Sequence, residues 1–286
     1  MDERELFYQN NVSGLIGDKK ASILVCGGGD LDKNVFEKLG FINVTISNLD
    51  SRMSEDSFNP YVWKYENAES LSFPDESFDY VVIHAAIHHA SSPHKVLTEM
   101  YRTAKFGVLS FESRDSTIMK FLEKTSLTQT YEHAAVYYND CNHGGVNNTE
   151  IPNYVYRWTE REIEKCIKSF APYCNHKFIY KYGTAFPATP ELEKKGKIKL
   201  YLLKFARPFY QIFAKIFPKQ QNLFAFYIKK PKIPDNLFPW LTFDENEKNP
   251  VKHDIKGKFN TFDGSKYPHE TCPFKGERYT LVFYSN

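Results

Sequence analysis

A cluster of three glycines, Gly27, Gly28 and Gly29, lies between a short apolar run and a helical pattern. Because glycine has no Cβ, a ligand can approach the backbone at such a cluster unusually closely. Asp50 stands about twenty residues further on, at the end of the next predicted strand, where an acceptor for ribose hydroxyl groups belongs. These residues predict a nucleotide-like ligand, bound at a turn from a strand to a helix.

The residues after the glycines narrow the choice of ligand. A dinucleotide-binding turn needs a third small residue at the position that Asp32 occupies here. Phosphate groups would be repelled by Asp30 and Asp32, and no Gly-Lys-Ser/Thr sequence follows to make a phosphate-binding loop. Acidic residues favour a ligand with a cationic end, such as the ammonium and sulfonium groups of S-adenosylmethionine.

Histidines supply the candidate catalytic groups. Transfer of a methyl group from a sulfonium is an in-line displacement, and a hydroxyl acceptor is helped by a general base, most often histidine. The predicted catalytic residues are His84, His88 and His143. A structural role at a helix start is the alternative for His88 and its neighbour His89, and a solvated loop position is the alternative for His143. No group of His, Asp and Glu in the predicted core shows the spacing of metal ligands, so no metal site is predicted.

The elements that would position these residues alternate between strands and helices over residues 1–112. Strands are predicted at 22–26, 43–47, 61–65, 78–84, 108–111, 177–182 and 222–228, and helices at 32–39, 93–104 and 159–170. Gly40 is the expected C-terminal cap of the first of these helices. Thr159 and Glu162 have the spacing of a capping box at the start of the last of them. Such alternation predicts parallel strands joined by right-handed crossovers.

Composition excludes several classes of protein. The chain has 286 residues and a net charge of +2, without the concentrated basic face typical of nucleic-acid binding. Its five cysteines form no Cys-x-x-Cys pair, which argues against a disulfide framework or a zinc site and favours a cytoplasmic location. The N-terminus lacks the apolar run of a signal peptide, and no stretch approaches the roughly 18 apolar residues of a membrane-spanning helix.

Four segments follow one another between about residues 20 and 115: ILVCGGGD, NLD ending in Asp50, ENAESLSFPDESFDYVV at 66–82, and HAAIHHASSPHKVLTEMYRTAKFGVL at 84–109. As a set they resemble the class I methyltransferases of the ubiquinone/menaquinone-biosynthesis type. The resemblance implies a Rossmann-like α/β fold with a seven-stranded, mostly parallel sheet and helices on both faces. It also implies S-adenosyl-L-methionine as the cofactor.

The resemblance implies roles for the matching positions. The glycine turn would line the methionine part of the cofactor, Asp50 would hold the ribose hydroxyls, Asn67 and Ala68 would flank the adenine, and His84 would lie near the methyl group. The full set of expected cofactor-binding residues is Cys26, Gly27, Gly28, Gly29, Asp30, Asp50, Asn67, Ala68, Glu69 and His84.

Two positions depart from the family pattern. Val25 stands where the family has an acidic residue that orders the glycine turn and holds the amino group of the cofactor. A weaker hold on the cofactor and compensation by Asp30 are the two expectations for this position. Phe106-Gly107 stands where the family has a glycine pair, which predicts a turn of altered shape.

The segment 114–158 is predicted to be a lid over the acceptor. It combines aromatic side chains with amide and guanidinium donors, a composition that suits a sugar or another polyhydroxylated molecule. These residues are Tyr137, Tyr138, His143, Asn147, Asn148, Asn153, Tyr154, Tyr156, Arg157 and Trp158. A hydrogen-bonded surface loop is the alternative.

Two further segments lie outside the common pattern. The basic and aromatic stretch 194–219 predicts a pair of helices broken at Pro208 and packed on the sheet, with contact to an anionic membrane surface as the alternative. Residues 262–285 resemble the last strands of the β-helix of iron/2-oxoglutarate oxygenases, in which His269 and Arg278 would match the iron and 2-oxoglutarate ligands. No room remains for the other iron ligands, so a remnant and a chain trimmed from a longer protein are the two interpretations of this segment.

These observations predict a methyltransferase domain at 1–230, with the lid at 114–158 and a helical insertion at 194–219, followed by a C-terminal extension at 231–286. The expected reaction is O-methylation of a sugar, glycan or other polar hydroxylated small molecule. C-methylation of a quinone or lipid, and a catalytically inactive cofactor-binding scaffold, are the alternatives. The expected partners are the acceptor and, through 194–219, a membrane surface, but no nucleic acid.

Overall fold

The computed structural model describes residues 2–171, 176–186 and 197–231. Its strands are β1 (Ile23–Cys26), β2 (Val44–Asn48), β3 (Val62–Tyr65), β4 (Phe78–His84), β5 (Ala104–Glu112), β6 (Lys177–Gly183) and β7 (Leu223–Lys229). They form one seven-stranded sheet in the order β3-β2-β1-β4-β5-β7-β6. Within these ranges β7 alone runs antiparallel to its neighbours, so the predicted mostly parallel sheet is confirmed.

The helices cover both faces of this sheet. They are α1 (Glu3–Leu15), α2 (Asp30–Lys38), α3 (Glu55–Phe58), α4 (Pro93–Thr103), α5 (Thr117–Lys124), α6 (His133–Tyr137), α7 (Glu160–Phe170) and α8 (Lys197–Ile216). Alternate residues of β1 point to opposite faces. Ile23 and Val25 belong to the core that α1 and α2 cover. On the other face, α4 contacts β4, β5 and α7.

The predicted end of α2 is confirmed, and the predicted start of α7 is confirmed only in part. Gly40 closes α2 with φ +74°, which a residue with a Cβ adopts only under strain. At the start of α7, the side chain of Thr159 accepts from the backbone N–H of Glu162, as predicted. The Glu162 carboxylate does not complete a capping box; it instead contacts the ring of His94 and the hydroxyl of Tyr156.

Two predictions about these elements are wrong. Phe106 and Gly107 lie inside β5 and form no turn. Strand β7 packs closely there, so that a Cβ on Gly107 would lie 2.8 Å from the Ile228 carbonyl oxygen. The described part of the stretch 194–219 holds one α-helix, α8, that continues through Pro208. Pro208 lies on its exposed side, where water can bind the carbonyl that loses its donor. Helix α1 was not predicted at all.

The two ends of the lid segment, 114–158, lie side by side next to the sheet and are joined by backbone hydrogen bonds. The backbone N–H of Asp115 donates to the Trp158 carbonyl at 2.9 Å, and the N–H of Trp158 donates to the Ser113 carbonyl at 3.0 Å. Helices α5 and α6 and a 3-10 turn at Val146–Asn148 lie between these two ends. The segment is therefore an insertion with a closed base. Cys174, Cys272, His269, Arg278 and the predicted extension lie outside the described residues.

Candidate active site

The predicted site residues gather at the carboxyl edge of the parallel strands. Strand β1 pairs with β2 on one side and with β4 on the other, so the chain order reverses at β1. Such a switch point opens a crevice at the strand ends, where ligands of α/β proteins bind. His84 is the last residue of β4, and the glycine turn, Asp50 and His88 follow the ends of these central strands.

The three glycines of the turn have different surroundings. Gly27 has φ +60°, and a Cβ there would lie 2.6 Å from the Cβ of Ala86. A Cβ on Gly28 would lie 2.8 Å from the side chain of Ile46. For Gly29, by contrast, no heavy atom of the described residues lies within 4 Å of the Cβ position. Packing therefore requires the first two glycines, whereas the third borders open space that a ligand can enter.

The carboxylate that orders this turn belongs to Asp32. Its Oδ2 accepts from the backbone N–H of Gly29 at 2.9 Å, and its Oδ1 accepts from the hydroxyl of Tyr8 at 2.7 Å. Burial raises the pKa of Asp32, whose side chain is almost fully enclosed. Asp30, the expected substitute for the missing acid at Val25, begins α2 with an exposed side chain. The glycine turn is thus ordered by the carboxylate of Asp32 on α2 and not by an acidic residue on β1.

Tyr8 of α1 also fixes His84. The two rings stack with their centroids 4.4 Å apart. Burial lowers the pKa of His84, which keeps the imidazole neutral near pH 7. Sequence reasoning missed Tyr8 because the charged N-terminus shows little periodicity. The available signals were Asp2, which caps α1, and the four-residue spacing of Tyr8, Val12 and Ile16, all fully buried.

Asp50 lies at the predicted edge, but its carboxylate is already paired. Both carboxylate oxygens accept from the guanidinium of Arg52, with the shortest distance 2.6 Å. This hydrogen bonding holds the pKa of Asp50 below its ordinary value, and the nearby His143 acts in the same direction. A ribose bound here would therefore replace Arg52 as the partner of Asp50.

The lid reaches this edge through polar contacts. The guanidinium of Arg52 donates to Asn139 Oδ1 at 2.9 Å, and Asn148 Nδ2 donates to the Leu49 carbonyl at 3.3 Å. Asn147 exchanges hydrogen bonds with Ser91. The segment 114–158 thus contacts the strand edge beside Asp50.

The polar aromatic set of the lid is only partly brought together. Asn153 and Trp158 are fully buried, and Tyr156 pairs with Glu162. The side chains of Tyr137 and Tyr138 are 71% and 79% exposed. Asn153 and Trp158 therefore pack inside the lid segment, whereas Tyr137 and Tyr138 lie on its surface, where an acceptor can contact them.

The residues expected near the adenine follow β3. The Asn67 side chain accepts from the backbone N–H of Glu69 at 2.9 Å, and Ala68 is half-buried. The buried carboxylate of Glu69 accepts from the backbone N–H of Ser92, which precedes α4. Burial raises the pKa of Cys26 to about 12, so its thiol is unreactive and its backbone is the part that can face a ligand.

His88 is held between two carboxylates. Its Nδ1 lies 2.7 Å from Glu112 Oε2, and its Nε2 lies 3.2 Å from Glu132 Oε2. Glu112 Oε1 accepts from the backbone N–H groups of Ala86 and Ile87, which fixes the turn after β4. Burial alone would lower the pKa of His88, but the two glutamates outweigh it and raise the pKa to about 10.

The contacts within this cluster also shift the pKa values of Glu132 and His89. The hydrogen bond from His88 lowers the pKa of Glu132 to about 2, and burial lowers the pKa of His89. His88 therefore carries both ring protons in this arrangement and has no lone pair with which to act as a base. Sequence reasoning missed Glu112 and Glu132, because they lie 24 and 44 residues from His88.

Residues 24–110 match the family model of the methyltransferase domain. They form a class I methyltransferase domain. The match confirms the predicted family, the Rossmann-like fold and the cofactor class, S-adenosyl-L-methionine. The rest of the chain, including the lid and α8, lies outside the matched part of the methyltransferase domain.

Similar proteins are known by sequence and by structure. A demethylmenaquinone methyltransferase from Anoxybacillus flavithermus is 36% identical over 74 residues, which is 25% of this chain. The matched region spans 31% of that relative. A methyltransferase of Thermotoga maritima, described as a possible histamine N-methyltransferase, has a TM-score of 0.47 and 17% identity over 79% of this chain and 89% of its own. The 1,6-didemethyltoxoflavin-N1-methyltransferase of Burkholderia thailandensis has a TM-score of 0.46 and 10% identity over 81% and 80%.

The longest described helix is α8, and neither it nor any other helix in the described ranges has the length and apolar character needed to cross a bilayer.

Proposed function

We propose that the chain is an S-adenosylmethionine-dependent methyltransferase. The observation that carries the proposal is the open space at Gly29, on the same strand edge as Asp50 and within a matched methyltransferase domain. A Cβ at Gly29 would enter this space, so the turn fits a ligand that approaches the backbone. When bound, the cofactor supplies the electrophilic methyl group.

Each part of the cofactor would contact a different group of the residues around this space. The backbone from Cys26 to Asp30 would face its methionine part, and the Asp50 carboxylate would accept from both ribose hydroxyls. The turn at Asn67 and Ala68 would border the adenine. His84, neutral and fixed by Tyr8, would limit the space beside the sulfonium.

Removal of the Asp50 carboxylate tests this assignment. We expect Asp50→Ala to weaken S-adenosylmethionine binding about ten- to hundredfold, because it removes charge-assisted hydrogen bonds worth roughly 1.5–3 kcal/mol each. Arg52→Ala should strengthen binding by several-fold at most, because the pair it breaks involves an exposed guanidinium and is worth about 1 kcal/mol or less. Calorimetry on the full chain measures both.

Asp56→Ala is the matched control, since Asp56 is an exposed aspartate on α3. Its affinity should equal that of the unchanged protein. Equal affinity in Asp50→Ala would show that the ribose lies elsewhere. No binding tighter than about 1 mM by the unchanged protein would leave an inactive scaffold as the better description.

We further propose O-methylation of a polar hydroxylated acceptor, such as a sugar or glycan. The amides of Asn139, Asn147 and Asn148 lie along the contact between the lid and the strand edge. Such donors and acceptors suit hydroxyl groups better than an apolar ring. His143 is the candidate base of this proposal, and His89, whose pKa is lowered by burial, is a second candidate imidazole.

C-methylation of a lipid quinone is the competing proposal, and α8 favours it. Five large apolar side chains on this helix are more than half exposed and recur at spacings of three or four residues, which places them on one face. They are Tyr201, Phe205, Phe209, Ile212 and Ile216. The stretch 194–219 also carries eight Lys and Arg and no Asp or Glu, a composition typical of peripheral contact with anionic lipid.

One screen separates these two acceptor classes. We expect methyl transfer to soluble polyhydroxylated acceptors to exceed transfer to a demethylated quinone in anionic vesicles, and His143→Ala to lower the former by about a hundredfold or more. A Phe205→Ser/Phe209→Ser variant should leave soluble transfer unchanged. If transfer occurs only to the vesicle quinone and is lost together with vesicle sedimentation in that double variant, the quinone proposal replaces ours.

A further inference from the structure

Three side chains of metal-ligating type meet where the lid covers the ends of β4 and β5. The Nε2 atoms of His88 and His89 lie 3.2 and 3.4 Å from Oε2 of Glu132. One candidate ligand atom from each residue lies within 4.8 Å of the other two. An ion with bonds of about 2.0–2.1 Å to a tetrahedral set separates its ligands by about 3.3 Å, which both measured distances match.

Two of the three side chains are also held by outer partners. His88 Nδ1 faces Glu112 at 2.7 Å, and the Glu112 carboxylate is itself fixed by two backbone N–H groups. The Asn153 side chain donates to Glu132 Oε2 at 3.5 Å. Outer partners of this kind orient the ligands of protein metal sites and set the imidazole tautomer.

Hydrogen bonding accounts for only part of this convergence. Protonated His88 donates from Nδ1 to Glu112 and from Nε2 to Glu132. The second imidazole, His89, presents its Nε2 to the same oxygen of Glu132. A divalent cation that displaces the Nε2 proton of His88 can bind all three atoms at once.

We propose that His88, His89 and Glu132 bind a divalent transition-metal ion of the zinc type. Two imidazoles and one carboxylate, with a further position open, form a ligand set typical of catalytic zinc sites. The two nitrogen ligands disfavour Mg²⁺ and Ca²⁺, which prefer oxygen. The sequence predicted no metal, because Glu132 joins the histidines only through the fold of the lid.

A metal ion bound by these three side chains would keep a fourth position free for a further ligand. A catalytic role for this ion rests on the proposed methyl transfer to a hydroxyl. The ion would bind the acceptor oxygen at the free position and lower the pKa of that hydroxyl group. The metal site itself does not depend on that reaction, because it is defined by protein atoms alone.

The test is a titration of the chelator-treated full chain with Zn²⁺ alone, followed by calorimetry. We expect one ion per chain with Kd below about 1 μM. His89→Gln and Glu132→Gln should each weaken binding by more than about a hundredfold, and Glu112→Gln by about ten- to hundredfold through the orientation of His88. Co²⁺ alone should give the strong visible absorption of a tetrahedral site without a thiolate charge-transfer band.

Two control variants make the result specific. His94→Ala removes a histidine that also lies 3.2 Å from a glutamate oxygen, and Cys141→Ser removes the exposed lid thiol. Both should retain full zinc affinity. Binding that survives His89→Gln/Glu132→Gln, a thiolate band in the Co²⁺ spectrum, or displacement of Zn²⁺ by equimolar Mg²⁺ would overturn the proposal. Because the titration contains no S-adenosylmethionine, its failure is distinct from failure of the proposed methyltransferase activity.

Discussion

Glu112→Leu should lower the free energy of unfolding by about 3–5 kcal/mol at pH 7, measured by urea denaturation in the presence of a chelator. Glu112 is almost fully buried and faces the charged ring of His88, so its removal leaves this buried charge with Glu132, 3.2 Å away, as its remaining carboxylate partner. It also removes the acceptor of the Ala86 and Ile87 backbone N–H groups. Glu112→Gln, which keeps an acceptor oxygen, should lose less.

The pH dependence of this loss identifies the charged partner. The pKa of His88 is raised from 6.5 to about 10 in the folded protein. The stabilisation from its protonated form is therefore fully present below about pH 6.5 and declines as the pH rises through 10. The difference between the unchanged protein and Glu112→Leu should shrink over the same range.

Glu37→Leu is the matched control, because Glu37 is exposed on α2 and its loss should change stability by about 0.5 kcal/mol or less. A loss in Glu112→Leu that is the same at pH 6 and pH 10.5 would contradict the assignment of the charge to His88.

Gly29→Val should reduce S-adenosylmethionine affinity at least about a hundredfold, which corresponds to about 2.7 kcal/mol. The valine side chain would enter the open space beside the turn, where the ligand is proposed to lie. The protein itself should lose only about 1 kcal/mol of stability, since Gly29 has an extended backbone, φ −145°, that valine adopts readily, although it is a poor helix cap. Calorimetry and urea denaturation measure the two effects separately.

Gly17→Val provides the comparison at a distant position, where the Cβ site is also free of described neighbours. It should bind the cofactor normally. If Gly29→Val binds as well as Gly17→Val does, the ligand does not approach the turn at Gly29.

The central strands and the glycine turn could be predicted because their signals are local. An apolar run such as residues 22–26 specifies a buried strand by itself, and consecutive glycines mark a close approach of the backbone. Gly40 was identified as a helix end for the same reason. The continuation of α8 through Pro208 shows where such reasoning fails, because the position of the proline relative to solvent decides whether a helix ends there.

Partners distant in the chain could not be read from the residues. Val25 in an acidic position suggested a weakened turn, yet Asp32 supplies the carboxylate because Tyr8 of α1 closes over it. The pairing of His88 with Glu112 and Glu132 follows from the strand order and from the path of the lid.

By itself, the sequence determined a methyltransferase domain with its glycine turn, its cofactor class and the carboxylate of Asp50 at the strand edge. These features depend on residue types at short spacing along the chain. Only the tertiary structure decided the state of each group: Asp50 paired with Arg52, His84 neutral against Tyr8, and His88 charged between two glutamates. Charge and coordination depend on burial and on the distances between side chains from separate elements, which only the folded chain fixes.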